Sequence, residues 1–147
     1  PWAGPGLVHD GYATALARIR DRVRRELVQE VPAGVPLYVA GHSMGGALAH
    51  LLAAWLSAGP EPVRVAGIAT FGAPRSLDSE AAAAITAPVR RYVVRGDPAP
   101  LWPWPLHGHP GDAIRLPAPS WHAGPLTRHS VTSYVAADQH SPTIRST

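Results

Sequence analysis

Val35-Pro36-Leu37-Tyr38-Val39-Ala40-Gly41-His42-Ser43-Met44-Gly45-Gly46-Ala47-Leu48-Ala49 is the stretch on which the fold turns. Its first six residues are a short continuous apolar run, the pattern of a strand buried on both faces. From Gly45 to Ser57 the composition changes to Ala and Leu, which favours a helix, and Gly59-Pro60 stops it. Between the two lies Gly41-His42-Ser43-Met44-Gly45, a G-x-S-x-G pattern at a strand-to-helix junction. A turn that tight forces Ser43 into a strained backbone conformation, and glycine at 41 and 45 removes the Cβ atoms that would collide there. The hydroxyl is then lifted clear of the sheet, and the Met44 N–H stands at a helix N-terminus, ready to stabilise an oxyanion.

The alternation continues on both sides. Upstream, Tyr12, Leu16, Ile19, Val23 and Leu27 recur every three or four residues and predict one amphipathic helix, ended by Pro32 and Gly34. Residues 1–11 read as a loop with a strand remnant at Leu7-Val8. Downstream, strands are predicted over Val63 to Phe71 and Val89 to Val94. A helix over Ser76 to Ile85 lies between them, with Ser76 as its N-cap and Asp78 and Glu80 on an exposed helix. Residues 97–126 hold many prolines with Trp102, Trp104 and Trp121, and only Ala113–Leu116 reads as extended. A last short helix is predicted from Arg128 to Ala137. Strands alternating with helices give an α/β architecture: a largely parallel sheet with helices on both faces.

Composition narrows the function. The 147 residues are 46% hydrophobic and 16% charged, which suits a single globular domain over 1–147. No apolar run approaches the roughly 20 residues of a membrane-spanning helix. The chain has no cysteine, which excludes disulfides, thiolate zinc sites and a cysteine nucleophile but leaves the compartment open. All 13 basic residues are arginine, and the net charge of +3 would suit an anionic lipid surface without requiring one. A nucleic-acid partner is not expected, because the arginines fit a solvated helix face and neither a finger motif nor an aromatic RNA platform is present.

A serine nucleophile needs a base, and the base needs an orienting acid, in the chain order Ser, acid, His for a sheet of this kind. Among the downstream acids, Glu61, Asp78, Glu80, Asp97, Asp112 and Asp138, Asp97 follows directly on the third strand, at the end where sites in such sheets gather. Spacing alone leaves the base open among His107, His109, His122, His129 and His140.

Several segments resemble one family, the class 3 or fungal-lipase-like branch of the α/β-hydrolases. Gly41-His42-Ser43-Met44-Gly45-Gly46-Ala47-Leu48-Ala49 is similar to its elbow and following helix, with Met where Leu is more usual. Thr70-Phe71-Gly72-Ala73-Pro74-Arg75 resembles its next strand end, and Arg95-Gly96-Asp97-Pro98-Ala99-Pro100 the segment bearing its catalytic Asp. His9-Asp10-Gly11-Tyr12 resembles the entry to the helix before the elbow. His129-Ser130-Val131-Thr132-Ser133-Tyr134 looks like the family's terminal segment, which implies His129 as the base. His109-Pro110-Gly111-Asp112 looks like a non-catalytic family segment and makes His109 the runner-up, otherwise a structural loop histidine.

The resemblance implies a lipase: a serine ester hydrolase releasing fatty acids with Ser43, Asp97 and His129, and needing neither metal nor cofactor. His42, Trp102 and Trp104 are candidate substrate contacts: tryptophan favours apolar–polar boundaries, so Trp102, Trp104 and Trp121 suit an acyl wall or interfacial rim, or else simply pack over the sheet edge. A phospholipase, carboxylesterase or thioesterase on the same scaffold is the alternative, as is an inert module that binds lipid or a partner. In the family the second oxyanion donor and the lid lie upstream of the His9 motif. The chain is therefore expected to be incomplete at its N-terminal side, with an open sheet edge.

Overall fold

In the computed structural model, which describes residues 2–32, 34–59, 63–103, 107–119 and 124–139, four strands lie side by side in the order in which the chain visits them. They are β1 (Leu37–His42), β2 (Val65–Phe71), β3 (Val89–Val94) and β4 (Ala113–Leu116), and each adjacent pair is parallel. The helices are α1 (Asp10–Ala17), α2 (Arg20–Glu30), α3 (Met44–Ala58), α4 (Ser79–Ala83), α5 (Pro125–Arg128) and α6 (Val131–Gln139). Among the described residues no helix is long and apolar enough to cross a membrane.

Two layers of apolar packing clamp the sheet. On one face, Ala49, Ala53 and Leu56 of α3 meet Val65 and Ile68 of β2. Outside them, Ala13 and Leu16 of α1 bury against Leu51, Leu77 and Ala81. On the other face, Tyr134 and Ala137 of α6 cover Tyr92, Val94 and Leu116. Small residues on α3 let the helix lie close to the strands, and the larger side chains of β2 fill the space between them.

Three expectations change. The strand over 35–40 does not have two buried faces: β1 is an edge strand, its Leu37 and Val39 face α3, and Tyr38 is 71% exposed on the opposite side. The single helix predicted from Tyr12 is two. The chain breaks at Ile19 (φ −124°, ψ −23°): α1 lies along α3 with Leu16 fully buried, whereas α2 buries no residue fully and reaches the core only through Leu27. The stems of Arg20 and Arg24 then pack with their guanidinium groups 5.5 and 5.6 Å from the Trp55 ring centroid. Finally, α4 is capped by Asp78 rather than Ser76. The Asp78 carboxylate accepts from the Ala81 N–H at 2.8 Å and from the Leu7 N–H at 2.9 Å. Ser76 is buried upstream of the cap, and Leu77 pairs with Val8 and Gly108 in two isolated bridges that keep the chain extended.

The α3-facing side of the sheet also carries polar residues. Thr70 of β2 stands beside Arg91 of β3, and His50 of α3, Thr70 and Arg91 are all buried. Arg91 donates to the Gly111 carbonyl at 3.0 Å. Burial pushes the His50 pKa down to about 3, helped by neighbouring His109 and Arg91, and pushes His109 down to about 4. Both histidines are therefore neutral in the folded protein at pH 5, whereas an unfolded histidine begins to protonate near 6.5. The unfolded chain binds more protons below that value, so stability falls as pH drops from about 6.5 toward 4, by ~1.4 kcal/mol per unit for each histidine. His50→Leu is expected to flatten the pH dependence of urea-unfolding free energy between pH 6 and 4 by about one histidine's share. An unchanged slope would show that His50 is protonated in the folded state.

Candidate active site

Ser43 is the one non-glycine residue among those described with positive φ, at φ 55° and ψ −127°. That conformation is costly for a residue with a Cβ and persists only where the surroundings impose it. Here the surroundings are backbone. A Cβ added at Gly41 would lie 2.2 Å from the Gly45 carbonyl oxygen, and one at Gly46 would lie 2.7 Å from Ala73 Cβ. The strand end and the first turn of α3 thus touch main chain to main chain, and β2 passes close beneath. The Ser43 N–H donates to the Phe71 carbonyl at 2.9 Å, which fastens the turn to the end of β2. At Gly45 an added Cβ meets nothing within 4 Å. The close approach therefore comes from 41 and 46 rather than from the expected pair 41 and 45.

Asp97 lies just after β3, and its side chain is fully buried. A buried carboxylate needs donors on both oxygens. Oδ1 accepts the Ala99 N–H at 2.9 Å, and Oδ2 accepts the Tyr134 hydroxyl at 2.5 Å. The Nδ1 of His129 is 3.0 Å from each oxygen, which leaves that nitrogen as an N–H donor and Nε2 free to accept. Ser43 Oγ stands 2.7 Å from Nε2. Burial beside the Asp97 carboxylate drives the Tyr134 hydroxyl pKa strongly upward, so it remains a donor.

The structure thus brings together Ser43, Asp97 and His129, residues separated by up to 86 positions. His129 lies in the break between α5 and α6, so the helix expected from Arg128 begins instead at Val131. His109, the runner-up, is elsewhere: its Nε2 bonds to the Pro100 carbonyl at 2.8 Å, in the buried polar group with His50 and Arg91. His107 contacts the His9 ring and likewise stands apart from Ser43. Asp78 serves as a helix cap, and Asp112 is exposed beside Gly111. His42 places its Nε2 2.7 Å from the His129 carbonyl oxygen. Trp102 is 70% exposed after the short helix Ala99–Leu101, whereas Trp104, Trp121, His122, His140 and Glu61 lie outside the described residues. The Met44 N–H is the first of α3 and, by helix geometry, has no carbonyl four residues back to bond. Among the described residues no three His, Asp or Glu side chains come together as a metal-binding group.

Two residues of the site escaped the reading of the sequence. Tyr134 orients Asp97; the sequence marked it only as the end of the family-like segment from His129, without a role. Gly72 (φ +61°) underlies the whole arrangement: an added Cβ would sit 2.6 Å from Asp97 Oδ2, 2.7 Å from the Tyr134 hydroxyl and 3.1 Å from His129 Nδ1.

A parallel sheet whose strand-to-helix elbow carries a serine has the architecture of an α/β-hydrolase. The profile of the lipase (class 3) family matches residues 2–106, and the chain belongs to that family. Solved structures agree on the fold. A mutant form of MDLA from Penicillium cyclopium superposes with a TM-score of 0.68 at 24% identity, over 86% of this chain and 46% of that one. The Rhizomucor miehei lipase propeptide complex gives 0.63 at 26%, over 78% and 39%. The Rhizomucor miehei triacylglyceride lipase gives 0.66 at 25%, over 74% and 44%. The chain therefore spans less than half the length of these structures. No curated protein sequence matches the chain significantly.

Gly72→Ala is expected to lower stability by about 1–3 kcal/mol, from strain at positive φ and from overpacking. It should also remove the strongly downfield proton of the His129 Nδ1–H···Asp97 bond. Denaturant titration and proton NMR check both, and an unaltered downfield resonance would mean that the Asp97 pocket tolerates the methyl group.

Proposed function

We propose that the protein is a serine hydrolase of carboxylic esters, acting on acyl lipids, with Ser43 as nucleophile, His129 as general base and Asp97 as orienting acid. The observation that carries this reading is the unbroken chain of contacts from Ser43 Oγ to His129 Nε2 at 2.7 Å and from His129 Nδ1 to Asp97 at 3.0 Å. Membership of the class 3 lipase family and the likeness to a Rhizomucor miehei triacylglyceride lipase point to lipid esters as the substrate class.

The steps follow from the tautomer. With Nδ1–H donated to Asp97, Nε2 accepts the Ser43 proton as Oγ attacks the ester carbonyl. The charge that develops on the carbonyl oxygen faces the Met44 N–H, while the buried Asp97 carboxylate stabilises the imidazolium. His129 then returns its proton to the departing alcohol. Water, deprotonated by the same nitrogen, attacks the acyl-serine, and the carboxylic acid leaves as Ser43 is regenerated. The half-buried His129 side chain, 23% exposed, leaves access for both substrate and water.

Hydrolysis of p-nitrophenyl butyrate and p-nitrophenyl palmitate tests the reading. Ser43→Ala should abolish turnover, and His129→Ala should reduce kcat at least ~1000-fold with the fold retained. A higher kcat/KM on palmitate supports lipid esters, and a preference for butyrate moves the assignment to a short-chain esterase. A folded protein that turns over neither ester, or whose Ser43→Ala variant keeps its rate, overturns the proposal.

A further inference from the structure

We infer that His42 is a positioning residue that fixes the main chain of His129 relative to Ser43, an inference that rests on the ester-hydrolase reading above. His42 is the last residue of β1 and the direct neighbour of Ser43. Its Nε2 lies 2.7 Å from the His129 carbonyl oxygen. A carbonyl can only accept, so Nε2 carries the hydrogen and donates. The two imidazole rings also pack, with centroids 4.9 Å apart at a 31° tilt, and the His42 ring meets Tyr134 edge-on at 5.7 Å. One side chain therefore touches the residue that faces Ser43 and the residue that holds Asp97.

On its C-terminal side the His129 segment is held by buried Tyr134 and Ala137 of α6, but the main chain leading into His129 has no such anchor. The preceding helix, α5, has four residues and buries none of them, and Leu126 is 83% exposed. The bond from the His129 N–H to the Leu126 carbonyl at 3.2 Å, and that from Ser133 Oγ to the Thr127 carbonyl at 2.7 Å, shape the turn within its own segment. They do not set its distance from β1. The His42 bond ties the His129 main chain, rather than its ring, to the end of β1 beside the nucleophile, so movement of the elbow carries that main chain with it. A displacement of about 1 Å in such a pair costs roughly 100-fold in rate, whereas ground-state binding of an ester does not depend on it.

Three variants of the protein separate this role from its rivals. His42→Phe keeps a ring but loses the donor, His42→Ala loses both, and His42→Gln keeps an N–H at a similar reach. Each is assayed for kcat and KM on p-nitrophenyl butyrate, with denaturant unfolding as the check on the fold and fluorophosphonate labelling of Ser43 as a second rate. The Phe and Ala variants are expected to lose roughly 10- to 100-fold in kcat and in labelling rate with KM unchanged, and the Gln variant to stay within ~3-fold of the parent. The inference is overturned if His42→Phe matches the parent, since packing alone would then suffice. It is equally overturned if His42→Gln fails to rescue, or if the effect falls on KM, which would make His42 a substrate contact. A parent protein inert to both the ester and the fluorophosphonate would instead remove the ester-hydrolase reading itself.

Discussion

Everything in this structure is arranged around one main-chain conformation, the positive φ of Ser43. A serine held there costs free energy that an isolated strand-to-helix turn would relieve by relaxing. Relaxation is blocked because Gly41 lies against the carbonyl of Gly45, Gly46 lies against Ala73, and the Ser43 N–H is bonded to the end of β2. These contacts require α3 to sit on β1 and β2 at close range. The alanines along the buried face of α3 meet that requirement, and so the composition of a whole helix answers to the geometry of one residue.

The second constraint is the solvation of Asp97. Removed from water, its carboxylate is satisfied by the Ala99 N–H two residues on and by the Tyr134 hydroxyl and His129 imidazole of one segment far along the chain. Gly72 contributes by what it lacks, since any side chain there would enter the space those groups share. The acid is thus held by its surroundings, and it in turn fixes which nitrogen of His129 carries hydrogen. Electrostatics and packing act here on the same few atoms.

Much of this was legible in the sequence because it is written locally. The apolar run into Gly41-His42-Ser43 and the Ala-rich helix after it determine the elbow within a dozen residues, and the strand ends before Gly72 and Asp97 follow from hydrophobic runs closed by glycine. Which histidine would meet Ser43 was not legible from spacing, since five histidines follow Asp97 and only the resemblance of the His129 segment to a family singled one out. What escaped the reading depends on distant partners. The stripe from Tyr12 to Leu27 is continuous in helical period, yet α1 and α2 separate because only α1 can lie along α3. Ser76 looks like a good cap, but the bridges of Leu77 hold the chain extended for two residues more. Tyr134 and Gly72 matter only once β2, β3 and α6 have met, which no local pattern records.

The strands lie in the sheet in the order of synthesis, and this gives the site a history as well as a shape. Ser43 precedes His129 by 86 residues, so at ordinary rates of translation the serine is made roughly 4–17 s before its partner. Throughout that interval the elbow can form, but its hydroxyl has no imidazole to bond. Closing so long a loop carries an entropic cost that grows only slowly with length, and the packing of α6 on β3 and β4 is available to offset it. The nascent chain therefore carries the Ser43 hydroxyl without its imidazole partner until α6 docks.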